Sequence, residues 1–169
     1  MLEQCCNKED RFAGVQKIIN QWLEDRQELV VAYCSVSGIN QISEQCPLSI
    51  NKLQHFCQLL IDYISAGHFE VYDQLLKEAE AFNDDHAQLI DRVYPAITET
   101  TDTVLNFHET YDSEQHCEQA LSRLKEELST LGEAISKRFS LEDELIAKLH
   151  DSHAALIGQQ FESAQIVQH

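Results

Sequence analysis

Apolar residues recur at steps of three and four along most of this chain, a spacing that is typical of amphipathic helices. The first such stretch covers residues 18–34 and stops before Gly38, a residue type that often closes a helix. After a loop at 37–46, three more stretches predict further helices, and their apolar residues are Leu53, Phe56, Cys57, Leu60, Tyr63 and Ile64; Val71, Leu75, Leu76, Ala79 and Phe82; and Leu89, Ile90, Val93, Ile97, Val104 and Phe107. Pro95 lies inside the last stretch, so we expect it to kink or split that helix.

The last long helix has a seam of the coiled-coil type, formed by Leu121, Leu124, Leu128, Leu131 and Ile135. Continued at the same steps, the seam would place Arg138 and Glu142 in the core. The apolar residues move instead to Phe139 and, further on, to Ile146 and Leu149. We therefore predict that the stripe slips here, so that Phe139 faces the core while Arg138, Glu142 and Asp143 lie outside.

These patterns predict an all-α fold, an antiparallel bundle of four to five principal long helices with additional N-terminal turns. The chain has 169 residues but only 5 Gly and 2 Pro, which is too few turn residues for a sandwich or barrel. We expect one helical domain at 1–158. The pattern fades after it, so 159–169 is predicted to be a frayed tail.

The charge balance narrows the possible partners. There are 12 Lys and Arg against 29 Asp and Glu, a formal net charge of −17. Nucleic acid and anionic membranes would repel such a surface, so neither is expected as a direct partner. Two tracts, 53–76 and 93–122, contain no Lys or Arg at all. They could form acidic faces for a basic protein, although acidic residues can also serve only to keep a protein soluble.

Several kinds of chemistry and location are disfavoured. None of the histidines between His55 and His153 follows a Glu by three positions, as the ligands of a di-iron bundle would. His150 and His153 share a helix face, and we interpret them as an incidental surface pair. Nucleotide-binding and hydrolase motifs are not found. We predict no enzymatic activity, no metal and no cofactor. The start of the chain does not resemble a signal peptide, and the longest apolar run is far below the ~20 residues of a membrane span, so a cytoplasmic location is predicted.

The stretch SAGHF at 65–69 raises the question of why a good helical pattern contains a glycine followed by histidine and phenylalanine. If the helix continues through Gly67, one small polar face with a single aromatic residue is formed by Asp62, Ser65, Ala66, Phe69 and Asp73. If the helix bends at Gly67, Phe69 packs into the core instead. Periodicity leaves both alternatives open.

Three segments carry a resemblance to a known family. They are QWLEDRQELVVAYCSVSGI (21–39), LQHFCQLLIDYISAGHFEVYDQLL (53–76) and RFSLEDELI (138–146). Together they resemble the regulator-of-sigma-D family, the Rsd/AlgQ anti-sigma factors, in order along most of the chain. The family's sigma-binding Asp and Phe correspond to Asp62 and Phe69.

The resemblance implies a cytoplasmic helical protein that binds the primary sigma factor of bacterial RNA polymerase. Binding would involve the promoter-reading C-terminal domain of the sigma factor and also its core-binding region, and it would lower the availability of the sigma factor to the polymerase. We expect a monomer. Two alternatives stand beside this function, an acidic helical adaptor for another basic protein and a helical enzyme.

Overall fold

The computed structural model describes residues 7–38 and 47–166, which form helices and no strand in these ranges. The helices are α1 (Lys8–Ser37), α2 (Pro47–Ala66), α3 (Tyr72–Ala81), α4 (Ala87–Tyr111), α5 (Glu114–Ala120), α6 (Leu124–Ile146) and α7 (Ser152–Ile166). One π turn, Gly67–Val71, joins α2 to α3, and a second, Ala147–Asp151, joins α6 to α7. The predicted all-α class is confirmed.

Four helices, α1, α2, α4 and α6, form an antiparallel bundle. Trp22 of α1 stacks on Tyr63 of α2, whereas Tyr33, later in α1, meets Phe56, earlier in α2. The same reversal of direction relates the other neighbours, through the pairs Phe56–Phe107 and His68–Thr101 for α2 and α4, and Arg92–Glu144 and Lys137–Glu99 for α4 and α6. This arrangement confirms the predicted antiparallel long-helix bundle.

The core contains the apolar stripes that the sequence predicts. Its fully buried large side chains include Trp22, Tyr63, Tyr111, Phe56, Leu60, Ile97 and Leu131. The indole N–H of Trp22 donates to the carbonyl oxygen of Tyr63 over 3.2 Å. Burial of these aromatic and aliphatic side chains supplies the main stabilisation of the fold.

The ends of α1 follow ordinary capping chemistry. The side-chain oxygen of Asn7 accepts a hydrogen bond from the N–H of Glu9, which satisfies one donor of the first turn. At the other end the N–H of Gly38 donates to the carbonyl of Cys34 over 2.9 Å. The prediction that this helix stops at Gly38 is confirmed.

Pro95 does not split the fourth helix, since α4 runs without interruption across it. Proline lacks the N–H that would bond the carbonyl of Asp91. Both residues are exposed, so that water can satisfy the carbonyl that proline leaves free. Of the two expected effects, the split is wrong and the kink stays a prediction. A proline on the outer side of a helix costs less than one facing the core.

Some predictions concern the ends and the loop. The predicted N-terminal turns and most of the loop at 37–46 lie outside the described residues. The backbone of α7 continues to Ile166, and the division into a domain at 1–158 and a tail at 159–169 stays a prediction. Within 7–38 and 47–166, no helix combines the length and apolar character that crossing a bilayer requires.

Candidate functional site

The π turn at Gly67–Val71 explains the glycine of the SAGHF stretch. The N–H of Tyr72 donates to the carbonyl of Gly67, five residues earlier, so the helix is locally wider but unbroken. A Cβ atom on Gly67 would lie 3.1 Å from Cζ2 of Trp22 and 3.1 Å from the Tyr72 hydroxyl. Glycine is therefore favoured here, because a Cβ atom would force one of two buried aromatic rings to move by a few tenths of an ångström.

Phe69 projects from this turn into solvent, with 85% of its surface exposed. Its neighbours His68 and Glu70 are exposed as well. Of the two alternatives for SAGHF, the structure has the continuous helix with Phe69 outside. An aromatic side chain in water gains nothing from packing, and its burial by a partner would be favourable. Such a residue is therefore typical of a contact surface.

His68 connects the π turn to α4. Its Nε2 atom lies 3.0 Å from Oγ1 of Thr101. The Thr101 hydroxyl donates to the carbonyl of Ile97 and accepts from Arg138, so it can only accept from His68, whose Nε2 therefore carries the hydrogen. Burial, and then the guanidinium of Arg138, lower the pKa of His68, which favours this neutral form.

The predicted site residues lie along one continuous helical segment formed by α2, the π turn and α3. Asp62, Phe69 and Asp73 are exposed, whereas Ser65 and Ala66 are half-buried. Ala66 packs against the core. An outer face with one aromatic residue thus exists, with Ala66 at its inner margin.

The two carboxylates on this face differ in their partners. Asp62 accepts a hydrogen bond from the amide of Gln58 over 2.8 Å and forms no ion pair with any described residue. Asp73 pairs with Lys77, four residues later, at 3.0 Å. Because Lys77 offsets the charge of Asp73, Asp62 is the stronger candidate for a basic partner.

A buried polar network lies directly beneath the turn, centred on Glu142. Its carboxylate accepts hydrogen bonds from the hydroxyls of Tyr63 and Tyr72 over 2.5 and 2.7 Å, and from Nε of Arg138 over 2.8 Å. Arg26 adds a fourth bond over 3.2 Å. Burial, and then the Glu142 carboxylate, raise the pKa of both tyrosines, so both hydroxyls remain donors.

The sequence prediction for this segment is wrong for Arg138 and Glu142, whereas Phe139 packs against the core as predicted. Arg138 and Glu142 are 1% and 0% exposed and continue the seam into the core, while Phe139 is only half-buried. Phe139 packs edge-on against Tyr63. Only Asp143 is exposed as predicted. The two charges are tolerated inside because they neutralise each other, and because Glu142 accepts hydrogen bonds from neighbouring helices while Arg138 donates to them.

A second buried polar cluster joins α3 to the chain around the start of α7. The two carboxylate oxygens of Glu78 each accept a hydrogen bond, over 2.7 Å from Nδ1 of His150 and over 2.8 Å from Nδ1 of His153. Phe12 and Phe82 stack on the two imidazoles. The interpretation of these histidines as a surface pair is wrong, because both are buried around one carboxylate. Among the described residues no group of His, Cys, Asp and Glu has an arrangement that could hold a metal ion.

The fold also brings the two tracts without Lys or Arg side by side. Tract 53–76 forms most of α2, the π turn and the start of α3, and tract 93–122 forms most of α4 and all of α5. Since α2 and α4 are neighbours in the bundle, one surface of two helices carries acidic side chains and no basic residue of its own.

Comparison with known proteins agrees with this picture. The family model described as "Regulator of RNA polymerase sigma(70) subunit, Rsd/AlgQ" matches residues 1–150. Proteins called regulator of sigma D are similar over most of their length. The one from Yersinia enterocolitica serotype O:8 / biotype 1B is 38% identical over 147 residues, which cover 86% of this chain and 88% of the relative. One from Yersinia pseudotuberculosis serotype O:1b is 37% identical, with coverage of 86% and 87%. One from Enterobacter sp. (strain 638) is 33% identical over 154 residues, with coverage of 90% and 92%.

The match covers both the SAGHF turn and the helix that supplies Arg138 and Glu142. The family is one of sigma-factor regulators and not an enzyme family, in agreement with the absence of catalytic motifs in the sequence. The chain belongs to the Rsd/AlgQ family of regulators of the RNA polymerase sigma(70) subunit.

Proposed function

We propose that this protein is an anti-sigma factor that binds the primary sigma factor and lowers its availability to RNA polymerase. Binding engages the promoter-reading C-terminal domain of the sigma factor and also its core-binding region. The observation that carries the proposal is the exposed Phe69 on an acidic helix face, in a chain of a sigma-regulator family. Asp62, Ser65, Ala66 and Asp73 surround the aromatic contact. Both proteins meet in the cytoplasm.

Charge supports the choice of a DNA-reading domain as the partner. A helix-turn-helix domain presents Arg and Lys side chains to phosphates and base edges. The carboxylate of Asp62, which has no basic partner in the described part of the chain, and the net charge of −17 attract such a surface. Pairing of these residues with the anti-sigma factor would cover the groups that the sigma factor uses to read DNA. The expected effect is faster association rather than a large gain in affinity.

Phe69 supplies the affinity in this proposal. An exposed aromatic residue that becomes buried at the centre of an interface can carry a large share of the binding free energy. The π turn holds it on a helix that is fixed to the core, so little ordering is required on binding. We expect Phe69→Ala to lose about 2 kcal/mol or more of sigma-factor binding, with an unchanged unfolding midpoint because the side chain is exposed.

The test is a pair of titrations on each variant, calorimetric binding to the purified primary sigma factor and unfolding in urea. Asp62→Asn should also weaken binding, and more strongly at low salt than at ~0.15 M, where the Debye length is ~8 Å. Val31→Ala is a matched control, since Val31 is an exposed apolar residue on α1. If Phe69→Ala lost stability but not affinity, Phe69 would not be the anchor.

An acidic adaptor for another basic protein is the alternative. It predicts no saturable binding to the sigma factor and no competition with core RNA polymerase. The anti-sigma proposal predicts that added protein reduces the amount of sigma factor bound to core polymerase, and that Phe69→Ala reduces this effect.

A further inference from the structure

Leu105 is an exposed apolar residue on α4 that faces the helix carrying Phe69. It is 44% exposed and follows Thr101 by four residues, so the two lie on the same face one turn apart. The hydroxyl of Thr101 is hydrogen-bonded to His68 at the π turn. The side of α4 that carries Leu105 therefore borders α2.

The level of Leu105 along α2 follows from the antiparallel packing. One turn after Thr101 on α4 corresponds to about one turn before His68 on α2. That turn includes Ser65, and Ile61 lies one turn further back; both are half-buried. Ile61 is also seven residues before His68 and shares its face. The strip of surface between α2 and α4, called the groove below, is thus expected to have apolar side chains from both helices, with Phe69 near one end.

Leu105 has the same kind of surroundings as Phe69. Asp102 lies three residues before it and Glu109 four residues after it, and both are exposed. Throughout the described chain no basic side chain pairs with either carboxylate. Nearer to α6, by contrast, Glu99 of the same helix is paired with Lys137 at 2.5 Å. Like Asp62, the two carboxylates beside Leu105 thus have no basic partner among the described residues.

We propose that the docking surface extends across this groove from Phe69 to Leu105 and accepts one basic amphipathic helix. This inference rests on the proposed function and identifies the occupant as a helix of the promoter-reading domain of the sigma factor. Neighbouring helix axes are ~8–10 Å apart, so a helix laid over the groove can contact both walls. Its apolar side contacts Phe69 and Leu105, while its Lys and Arg side chains pair with Asp62 and Asp102. A partner that used only α2 would leave Leu105 and Asp102 in water.

The experiment measures sigma-factor binding of Leu105→Ser and Asp102→Asn beside the wild type and Phe69→Ala. Leu105→Ser should raise the Kd by roughly fivefold or more, as loss of an apolar contact at an interface does. Asp102→Asn should slow association at low salt and have less effect on dissociation.

Two variants with the same chemistry elsewhere serve as controls. Val31→Ser removes an apolar residue that is 60% exposed on α1, and Glu133→Gln removes an exposed carboxylate of α6. Both should bind as the wild type does. Urea unfolding of Leu105→Ser shows whether the variant is folded, and Asp102→Asn tests the same groove with a substitution of nearly equal shape.

The outcomes separate the two proposals. Weakened binding by Leu105→Ser and Phe69→Ala, with unaffected controls, supports the two-helix groove. Wild-type affinity of Leu105→Ser together with a loss in Phe69→Ala overturns the groove and leaves the anti-sigma function intact. Failure of the wild-type protein to bind the sigma factor overturns the proposed function, and the groove with it.

Discussion

The buried pair of Arg138 and Glu142 provides a quantitative test of how the bundle is held together. The guanidinium of Arg138 is 1% exposed and has one acidic partner, Glu142, while its other contacts are the hydroxyls of Thr100, Thr101 and Tyr72. Glu142→Gln keeps the size of the side chain but removes this counter-charge. Arginine cannot give up its proton in a protein, so a buried cation remains.

The expected cost follows from this geometry. Removal of one partner from a buried ion pair typically costs about 3–5 kcal/mol. Arg138→Met should cost less, since Glu142 would keep hydrogen bonds from Tyr63 and Tyr72 and its contact with Arg26. The double variant Arg138→Met/Glu142→Gln should cost less than the sum of the two single losses, because the buried cation that Glu142→Gln leaves alone is then absent. We expect a coupling of about 1.5 kcal/mol or more.

Urea unfolding followed by far-UV circular dichroism measures these values. With a urea dependence of about 2 kcal/mol per molar, Glu142→Gln should lower the midpoint by roughly 1.5–2.5 M. Glu133→Gln, an exposed change on the same helix, should leave the midpoint in place. The reasoning would be refuted by a Glu142→Gln midpoint equal to that of Glu133→Gln, or by single losses that simply add in the double variant.

Two further substitutions probe the close contacts. Gly67→Ala should gain up to ~1 kcal/mol of helix propensity but lose about 1–3 kcal/mol because the new Cβ atom crowds Trp22, so we expect a lower urea midpoint. Gly158→Ala is the control, since no atom lies within 4 Å of its Cβ position, and it should be neutral or stabilising. Glu78→Gln replaces a carboxylate oxygen that accepts a hydrogen bond from a buried imidazole with an amide donor, so it should destabilise the protein by about 1–3 kcal/mol. Glu80→Gln on the exposed side of α3 is the control, and equal urea midpoints for the two variants would contradict this role of Glu78.

The helices themselves could be predicted because their causes are local. Apolar spacing, the glycine at 38 and the scarcity of turn residues all act within a few residues of where they appear. The exposure of Phe69 was also within reach, since continuing the helix through Gly67 leaves it on a polar face. The periodicity of one helix could not decide whether that helix continues, because the decision depends on the rings of Trp22 and Tyr72 that pack against the glycine.

Buried charges were mispredicted because their partners come from other helices. A single-helix pattern treats Arg138 and Glu142 as too polar for a core position, yet the seam of α6 runs straight through them. The continuation of the seam at the same three- and four-residue steps indicates core positions for both residues. The prediction gave more weight to their polarity than to this spacing. The same reasoning failed for His150 and His153, whose shared acceptor, Glu78, is more than 70 positions away in the chain.

The SAGHF stretch depends both on the local helical pattern and on contacts with distant helices. Gly67 lets Trp22 and Tyr72 close over the turn, and the Tyr72 hydroxyl donates to Glu142 in the network below. His68 ties the same turn to α4 through Thr101. The two residues before Phe69, Gly67 and His68, are thus held by packing and by a hydrogen bond, while Phe69 itself is 85% exposed. A side chain held out by a rigid turn loses little entropy when a partner covers it. In the proposed function, the same turn that accommodates the buried rings also presents Phe69 to the sigma factor.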